Sequence, residues 1–302
     1  MTQYKTYDQV GKKESVDDII SNISPTDTPF QSSIGSEKVK ATLFQWQEDA
    51  LRAPAKNAKV EGFTASSTAR VPTSMRSNYT QIFSETVNVS ATADEIDTYG
   101  RAKELSYQLA KTASELKRDL ELSLVGNAQT AVAGDSSTAR EMASAQAQID
   151  ATQTYTTDSD AGTGGNQAGP LTEDNFLEAN QGLYEAGGEA TIFMVKPADS
   201  LVVAEFAQAS GRNREIAQGT KLVNVIDVLV TPFGEQKVVI NRFIKSTDAL
   251  LFDPGMWKKV VLRGWTRETL AKIGDNTSVM IVGEFSLKHR NYKGSALITN
   301  LT

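Results

Sequence analysis

The stretch Leu105-Ser-Tyr-Gln-Leu109-Ala-Lys-Thr-Ala113-Ser-Glu-Leu116-Lys-Arg-Asp-Leu120-Glu-Leu-Ser-Leu124 sets an apolar residue at every third or fourth position. That spacing follows the 3.6-residue turn of an α-helix, so Leu105, Leu109, Ala113, Leu116, Leu120 and Leu124 share one side of a rod. Lys103, Glu104, Lys111, Glu115, Lys117, Arg118 and Glu121 fall mostly on the remaining surface. Asp97 or Thr98 can accept the first free backbone N–H groups and Gly126 suits a left-handed stop, which bounds the helix at 97–126. The apolar stripe is narrow and the other side carries both signs of charge. One side is expected on a sheet, the other against solvent or a neighbouring molecule.

Around this helix lies a chain of 302 residues, enough for one or two domains with a sizeable core. Its formal net charge of −6 argues against a general nucleic-acid binder, whose phosphate contacts need a basic surface. No apolar run approaches the ~20 residues of a membrane span. The start, Met1-Thr-Gln-Tyr-Lys5, lacks the apolar core of a secretion signal. Cysteine is absent, which removes disulfides and thiolate metal sites.

Upstream of the helix, residues 1–35 do not read as a domain. Ser15-Val-Asp-Asp18 can cap a short helix with Ile19, Ile20 and Ile23 as its apolar positions. Ser24-Pro-Thr-Asp-Thr-Pro-Phe30 then forces an extended, turning path, because each proline disfavours helix in the residue before it. Such an arm cannot bury itself and is expected to dock elsewhere, with Ile19, Ile20, Ile23 and Phe30 as its contacts. Between 36 and 90, Thr42 to Gln47 and Tyr79 to Val89 alternate in the two-residue period of strands around a polar, basic passage. This predicts a long projecting hairpin whose stability needs a partner surface.

Downstream, residues 128–170 carry five acids against one base, Arg140, and are rich in Ala, Ser, Thr, Gln and Gly. They read as a polar insertion on the surface, with a short helix at 141–149 and a flexible loop from 158. Residues 171–254 return to α/β character: helices at 172–186 and 198–208, strands at 190–195, 221–230, 237–244 and 250–252, and an open loop at 208–219. The remainder is strand-rich, at 257–263, 279–289 and 296–301.

Catalytic signatures are missing. The one histidine, His289, lies between Lys288 and Arg290 and reads as a surface or interface residue. The run Gly162 to Gly169 lacks the Lys-Ser/Thr ending of a phosphate loop, and Asp158-Ser-Asp160 lacks the later glycine and acid of a calcium loop. Trp46, Trp257 and Trp265 read as packing anchors. Neither a metal nor a cofactor is implied.

The order of parts, and several phrases, resemble the major capsid (major head) proteins of tailed bacteriophages with the Hong Kong 97-type fold. The phrases are Asp18 to Phe30, Glu104-Leu-Ser-Tyr-Gln-Leu-Ala-Lys111, Phe252-Asp-Pro-Gly-Met-Trp257, Leu262-Arg-Gly-Trp-Thr-Arg-Glu268 and Gly283-Glu-Phe-Ser-Leu287. The resemblance implies an α+β fold. Its parts are an N-terminal arm (1–35), an extended loop (36–90), and a peripheral domain (91–170) with the spine helix 97–126 and the insertion 128–170. An axial domain (171–254) and the return strands of both domains (255–302) follow.

It implies an icosahedral shell of pentamers and hexamers enclosing double-stranded DNA, assembled in the host cytoplasm, with no catalytic role. Implied partners are a portal, a decoration protein and a scaffold; Met1 is read as the start, which makes the scaffold a separate protein. DNA is met only by non-specific proximity, and no membrane is involved. Trp46, Arg52, Lys56, Lys59 and Arg70 are expected at contacts between subunits, and Arg212, Arg214 and Glu215 around the capsomer axis. Two other readings compete: a bacterial nanocompartment shell, and an α/β ligand-binding or enzyme domain on 171–254.

Overall fold

The structure is a computed structural model that describes residues 27–65, 67, 70, 72–96, 103–157, 168–209 and 228–302. Ile19, Ile20, Ile23, Asp97, Thr98, Arg212, Arg214 and Glu215 lie outside the described residues, as does the loop 158–167.

The chain enters through a single helical turn, α1 (Pro29–Ser33), with Pro29 where its missing N–H costs nothing. Strand β1 (Gly35–Lys38) follows, then β2 (Leu43–Glu48), β3 (Ser74–Tyr79) and β4 (Gln81–Ser90). After the short α2 (Ala91–Glu95) comes the spine helix α3 (Glu104–Val125). Next are β5 (Thr154–Thr156), α4 (Glu173–Glu185), β6 (Ile192–Val195), α5 (Pro197–Ala209), β7 (Val228–Thr231) and β8 (Gly234–Ile240). Strands β9 (Ala249–Phe252), β10 (Trp257–Thr269), β11 (Asn276–His289) and β12 (Ser295–Thr299) complete the chain.

Two sheets carry the fold. The first has the order β1-β10-β11-β4, with β1 parallel to β10 and the other pairs antiparallel. Helix α3 packs on it: Leu109, Leu116, Leu120 and Leu124 share a core with Phe83, Val279, Ile281, Phe285 and Leu287. The second sheet has the order β5-β12-β9-β6-β8-β7. Phe176, Ala179 and Leu183 of α4 and Val203 of α5 share its core with Phe193, Leu251 and Ile298. The all-apolar, all-buried β9, Ala249–Phe252, suits a strand covered on both faces.

Several expectations need correction. Helix α3 begins at Glu104, since Lys103 is extended, not at 97. Its buried stripe runs through Thr112 in place of Ala113, and it also buries Glu121. Gly126 is right-handed, at φ −101°, so it is not a left-handed stop. Glycine is needed there for another reason: a Cβ would sit 2.4 Å from the carbonyl oxygen of Phe243. The last carbonyls of α3 are taken by tertiary partners instead, Leu124 by Ala145 N–H (2.8 Å) and Val125 by Lys245 N–H (3.1 Å).

The projecting hairpin pairs β2 with β3, so its return strand is 74–79 and not 79–89. The chain changes sheets at Thr80, and β4 belongs to the first sheet. Domain boundaries shift accordingly: β4 leaves the loop, while β5 and β12 complete the sheet of the 171–254 unit, which is not self-contained.

Residues 128–157 are not a surface insertion. Met142 and Ala145 are fully buried, and 146–148 is a single turn of 3-10 helix rather than a helix over 141–149. The segment is stitched to β11 by amide side chains. Gln148 donates to the carbonyls of Ala143 (2.9 Å) and Leu287 (3.2 Å), and its Oε1 accepts from His289 N–H at 3.0 Å. Asn78 donates to the Leu287 carbonyl at 2.7 Å and accepts Ala143 N–H at 2.8 Å. Arg140 pairs with Glu284 and donates to the Thr80 carbonyl.

Candidate assembly surfaces

The hairpin is anchored at its base and bare beyond it. Phe44 and Trp46 point inward onto Val260 and are joined by Tyr292. Trp46, expected at a subunit contact, is 8% exposed, stacks on Phe44 at 5.7 Å and lies 6.2 Å from Tyr292. Its burial within its own chain removes the indole from the surface. Arg76 of β3 pairs with Glu48 of β2, its guanidinium 4.2 Å above the Tyr292 ring.

Beyond this base Arg52, Lys56, Lys59 and Arg70 are all exposed, alongside Asp49 and Glu61. So are the apolar side chains Leu51 (99%), Val60 (80%) and Phe63 (56%). A bare apolar side chain amid cations gains little in water. It gains on a partner that offers both apolar area and negative charge.

A surface of that kind exists on the same molecule, between α3 and β4. A groove of about 580 Å³ is lined by Glu85, Val87 and Val89 of β4, by Ile96, and by Glu104, Thr112 and Glu115 of α3. An adjoining recess of about 340 Å³ shares Glu85 and Glu115 and adds Leu116, Arg118 and Asp119. Ile96 is 57% exposed. Burial pushes the Asp119 carboxyl above its ordinary range; Arg118 opposes the rise and Glu115 adds to it. The sequence places Glu104 and Glu115 on the side of the helix away from its apolar stripe and singles out neither Asp119 nor Glu85. What identifies these acids as one surface is their place beside Glu85, on a strand that precedes the helix in the chain, which no single element shows.

His289 is not a surface residue. It is fully buried, and burial holds its imidazole down at about 3, a hydrogen bond to the Gln148 carbonyl acting the other way. Its Nε2 lies 3.0 Å from Ser295 Oγ, which accepts the Trp257 indole N–H at 3.0 Å. A serine beside a histidine is the start of a nucleophile, but both are fully buried here and no substrate reaches them. Among the described residues no group of three or more His, Asp or Glu side chains is placed to hold a metal.

Phe30, expected to dock the arm, docks within its own chain. Its ring is fully buried, 5.3 Å from Phe252 and 5.8 Å from Trp257.

Comparison with known proteins extends the likeness over the whole chain. The profile of the SU10 major capsid protein family matches residues 2–302. The major capsid protein of Escherichia phage Phieco32 is 36% identical over 341 aligned positions, covering 99% of this chain and 97% of that protein. Among solved structures, the capsid of a native GTA particle is 12% identical with a TM-score of 0.67, covering 97% of this chain and 96% of that one. A chain in a structure of Gordonia phage Cozz is 11% identical with a TM-score of 0.62, covering 95% and 91%. The holo-SrpI encapsulin complex from Synechococcus elongatus PCC 7942 is 12% identical, also at 0.62, covering 97% and 92%. This fold is thus common to a GTA capsid, a phage structure and an encapsulin, and the family is decided by sequence. The chain belongs to the SU10 major capsid protein family, and its α+β architecture is the Hong Kong 97-type fold.

Proposed function

We propose that the chain builds the icosahedral head of a tailed bacteriophage by seating its 49–73 loop in the α3–β4 groove of the next copy. As a major capsid protein it is a structural shell subunit, and it acts as a homo-oligomer in the virion capsid. The observation behind the loop-to-groove contact is the match between the two surfaces. Arg52, Lys56, Lys59 and Arg70 outnumber Asp49 and Glu61 on the loop, while Glu85, Glu104, Glu115 and Asp119 outnumber Arg118 in the groove. Leu51, Val60 and Phe63 bring apolar area to Val87 and Ile96. Each exposed ion pair contributes only ~0–1 kcal/mol, but a closed shell repeats the contact at every subunit.

The proposal extends to pentamers and hexamers, with Arg212, Arg214 and Glu215 paired around the capsomer axis. It includes packaged double-stranded DNA, and a scaffold, portal and decoration protein as further partners, with assembly in the host cytoplasm and no catalysis. The nanocompartment reading keeps the same loop contact and differs in contents. Electron microscopy of the expressed protein is the test. The account expects the full chain to form closed shells and a chain lacking Ala53 to Ser67 to stay a soluble, folded subunit that does not assemble. Normal shells from the deleted chain overturn it.

A further inference from the structure

The hairpin β2–β3 is a sheet of its own, and among the described residues no strand ladder joins it to either large sheet. Side chains set its angle to the body, and they act at two levels. At the inner level Asn78 donates to the Leu287 carbonyl at 2.7 Å and accepts Ala143 N–H at 2.8 Å, and Ser286 Oγ donates to the Tyr79 carbonyl at 2.6 Å. At the outer level, about 7 Å further along β3, stand Arg76 and its pair Glu48. The inner level alone is a pivot. The outer level turns the pivot into a direction.

The outer level closes on one residue, Tyr292. Its ring lies 4.2 Å from the Arg76 guanidinium, 6.2 Å from the Trp46 ring and 5.8 Å from His289, at 15° to the last. Its backbone N–H donates to Glu48 Oε2 at 3.3 Å. Tyr292 therefore meets both strands of the hairpin, β2 through Glu48 and Trp46, and β3 through Arg76. It belongs to the turn 290–294, which joins β11 of the first sheet to β12 of the second. That turn is itself held from several sides. Arg290 N–H donates to the Met256 carbonyl at 2.9 Å, the Tyr292 carbonyl accepts Asp150 N–H at 2.9 Å, and Gly294 N–H donates to the Asn291 carbonyl at 2.9 Å. The hairpin thus takes its bearing from the junction of the two sheets.

We propose that Tyr292 is the positioning residue of the assembly loop: its ring and backbone fix the angle at which β2–β3 leaves the body, and so the place that loop 49–73 reaches on the next copy. The consequence for assembly rests on the loop-to-groove reading; the angle itself does not. A planar guanidinium held over a ring face restrains tilt as well as distance. Contacts far from their fastening points are displaced most by a small change of angle, and opposite charges drawn apart in water attract only weakly.

Electron-spin distance measurement on dilute, unassembled full-length chains tests the angle. Nitroxide labels go on Gln47→Cys of β2 and Lys111→Cys of α3, both exposed positions. The native background and Tyr292→Phe, which keeps the ring, should each give one narrow distance distribution. Tyr292→Ala should broaden it about twofold or more and, without labels, lower the yield of shells in electron micrographs about tenfold. Arg76→Met cuts the same stack from the hairpin side and should broaden the distribution likewise, which decides the matter even where Tyr292→Ala fails to fold. Distributions as narrow in Tyr292→Ala and Arg76→Met as in the native chain overturn the proposal. A broadened distribution with a normal yield of shells upholds the positioning of the hairpin and overturns the loop-to-groove reading.

Discussion

The indole of Trp257 lies flat on the imidazole of His289, ring centroids 3.9 Å apart and planes 2° from parallel. The pair joins the first residue of β10 to the last of β11, which are direct partners in the sheet. The neutral ring is the form this stack holds. In the unfolded chain the imidazole titrates near 6.5 and in the fold at about 3, so in that window the unfolded state binds a proton that the folded state refuses. The contribution to stability is complete above pH ~6.5 and is lost as the pH falls toward 3. His289→Phe keeps a ring but cannot titrate. Its denaturation midpoint should depend less steeply on pH than the native chain's between those limits, measured by urea unfolding across pH. Equal slopes would contradict the buried neutral histidine.

Arg140 and Glu284 make a second pair whose loss is costly. Glu284 is 4% exposed and accepts from Thr80 Oγ1 and from Arg263, itself half exposed, as well as from Arg140. Arg140→Met should leave a buried carboxylate short of its main cation and lower stability by ~3–5 kcal/mol. A calorimetric melt of the variant within a degree of the native chain would show that the pair is dispensable.

Gly126→Ala places a methyl against a backbone carbonyl that cannot rotate aside, at 2.4 Å from Phe243 O. The end of α3 must then move away from the segment 241–245, and a loss of ~1–3 kcal/mol is expected in chemical denaturation. Alanine otherwise favours helix over glycine by up to ~1 kcal/mol, so a stabilised variant would mean the close approach is not real.

Charge should decide loop seating. Glu85→Lys with Glu115→Lys turns the groove from attracting to repelling the loop, and the variant should fail to form shells at low salt. Adding Lys56→Glu and Lys59→Glu should restore shells in part. Electron micrographs showing shells from the groove variant alone would count against the pairing.

How far these features were legible in the sequence follows from how local their causes are. The stripe Leu105, Leu109, Leu116, Leu120 and Leu124 announced the spine helix because helix periodicity is a property of neighbours. Glu121 was read as surface since a buried carboxylate becomes affordable only with donors from Phe30 and Gln31, some ninety positions away. Strand alternation runs unbroken through Tyr79, Thr80 and Gln81, so nothing local marks the change of sheet. The partners met at the change are distant: the Thr80 hydroxyl bonds Glu284, 204 positions away. The 128–157 segment looked like surface on composition, whereas its own Gln148 and Asn78 of β3 supply the amide partners that let polar backbone be buried. For His289 the signal was present: on a two-residue period, Lys288 and Arg290 face one way and the histidine the other. The basic loop was legible as a charged segment too poor in apolar residues for a core of its own. The acidic groove was not, because it exists only once β4 lies against α3.

The most direct test of loop-to-groove assembly uses the absence of cysteine from the native chain. Chains carrying Lys59→Cys are mixed with chains carrying Glu115→Cys, assembled, and oxidised, with Lys56→Cys and Glu85→Cys as neighbouring positions. The account predicts disulfides joining a loop chain to a groove chain in assembled particles, and none between the same chains when dilute and unassembled. Particles that form from these mixtures yet show no loop-to-groove disulfide at any of the four pairings would contradict it.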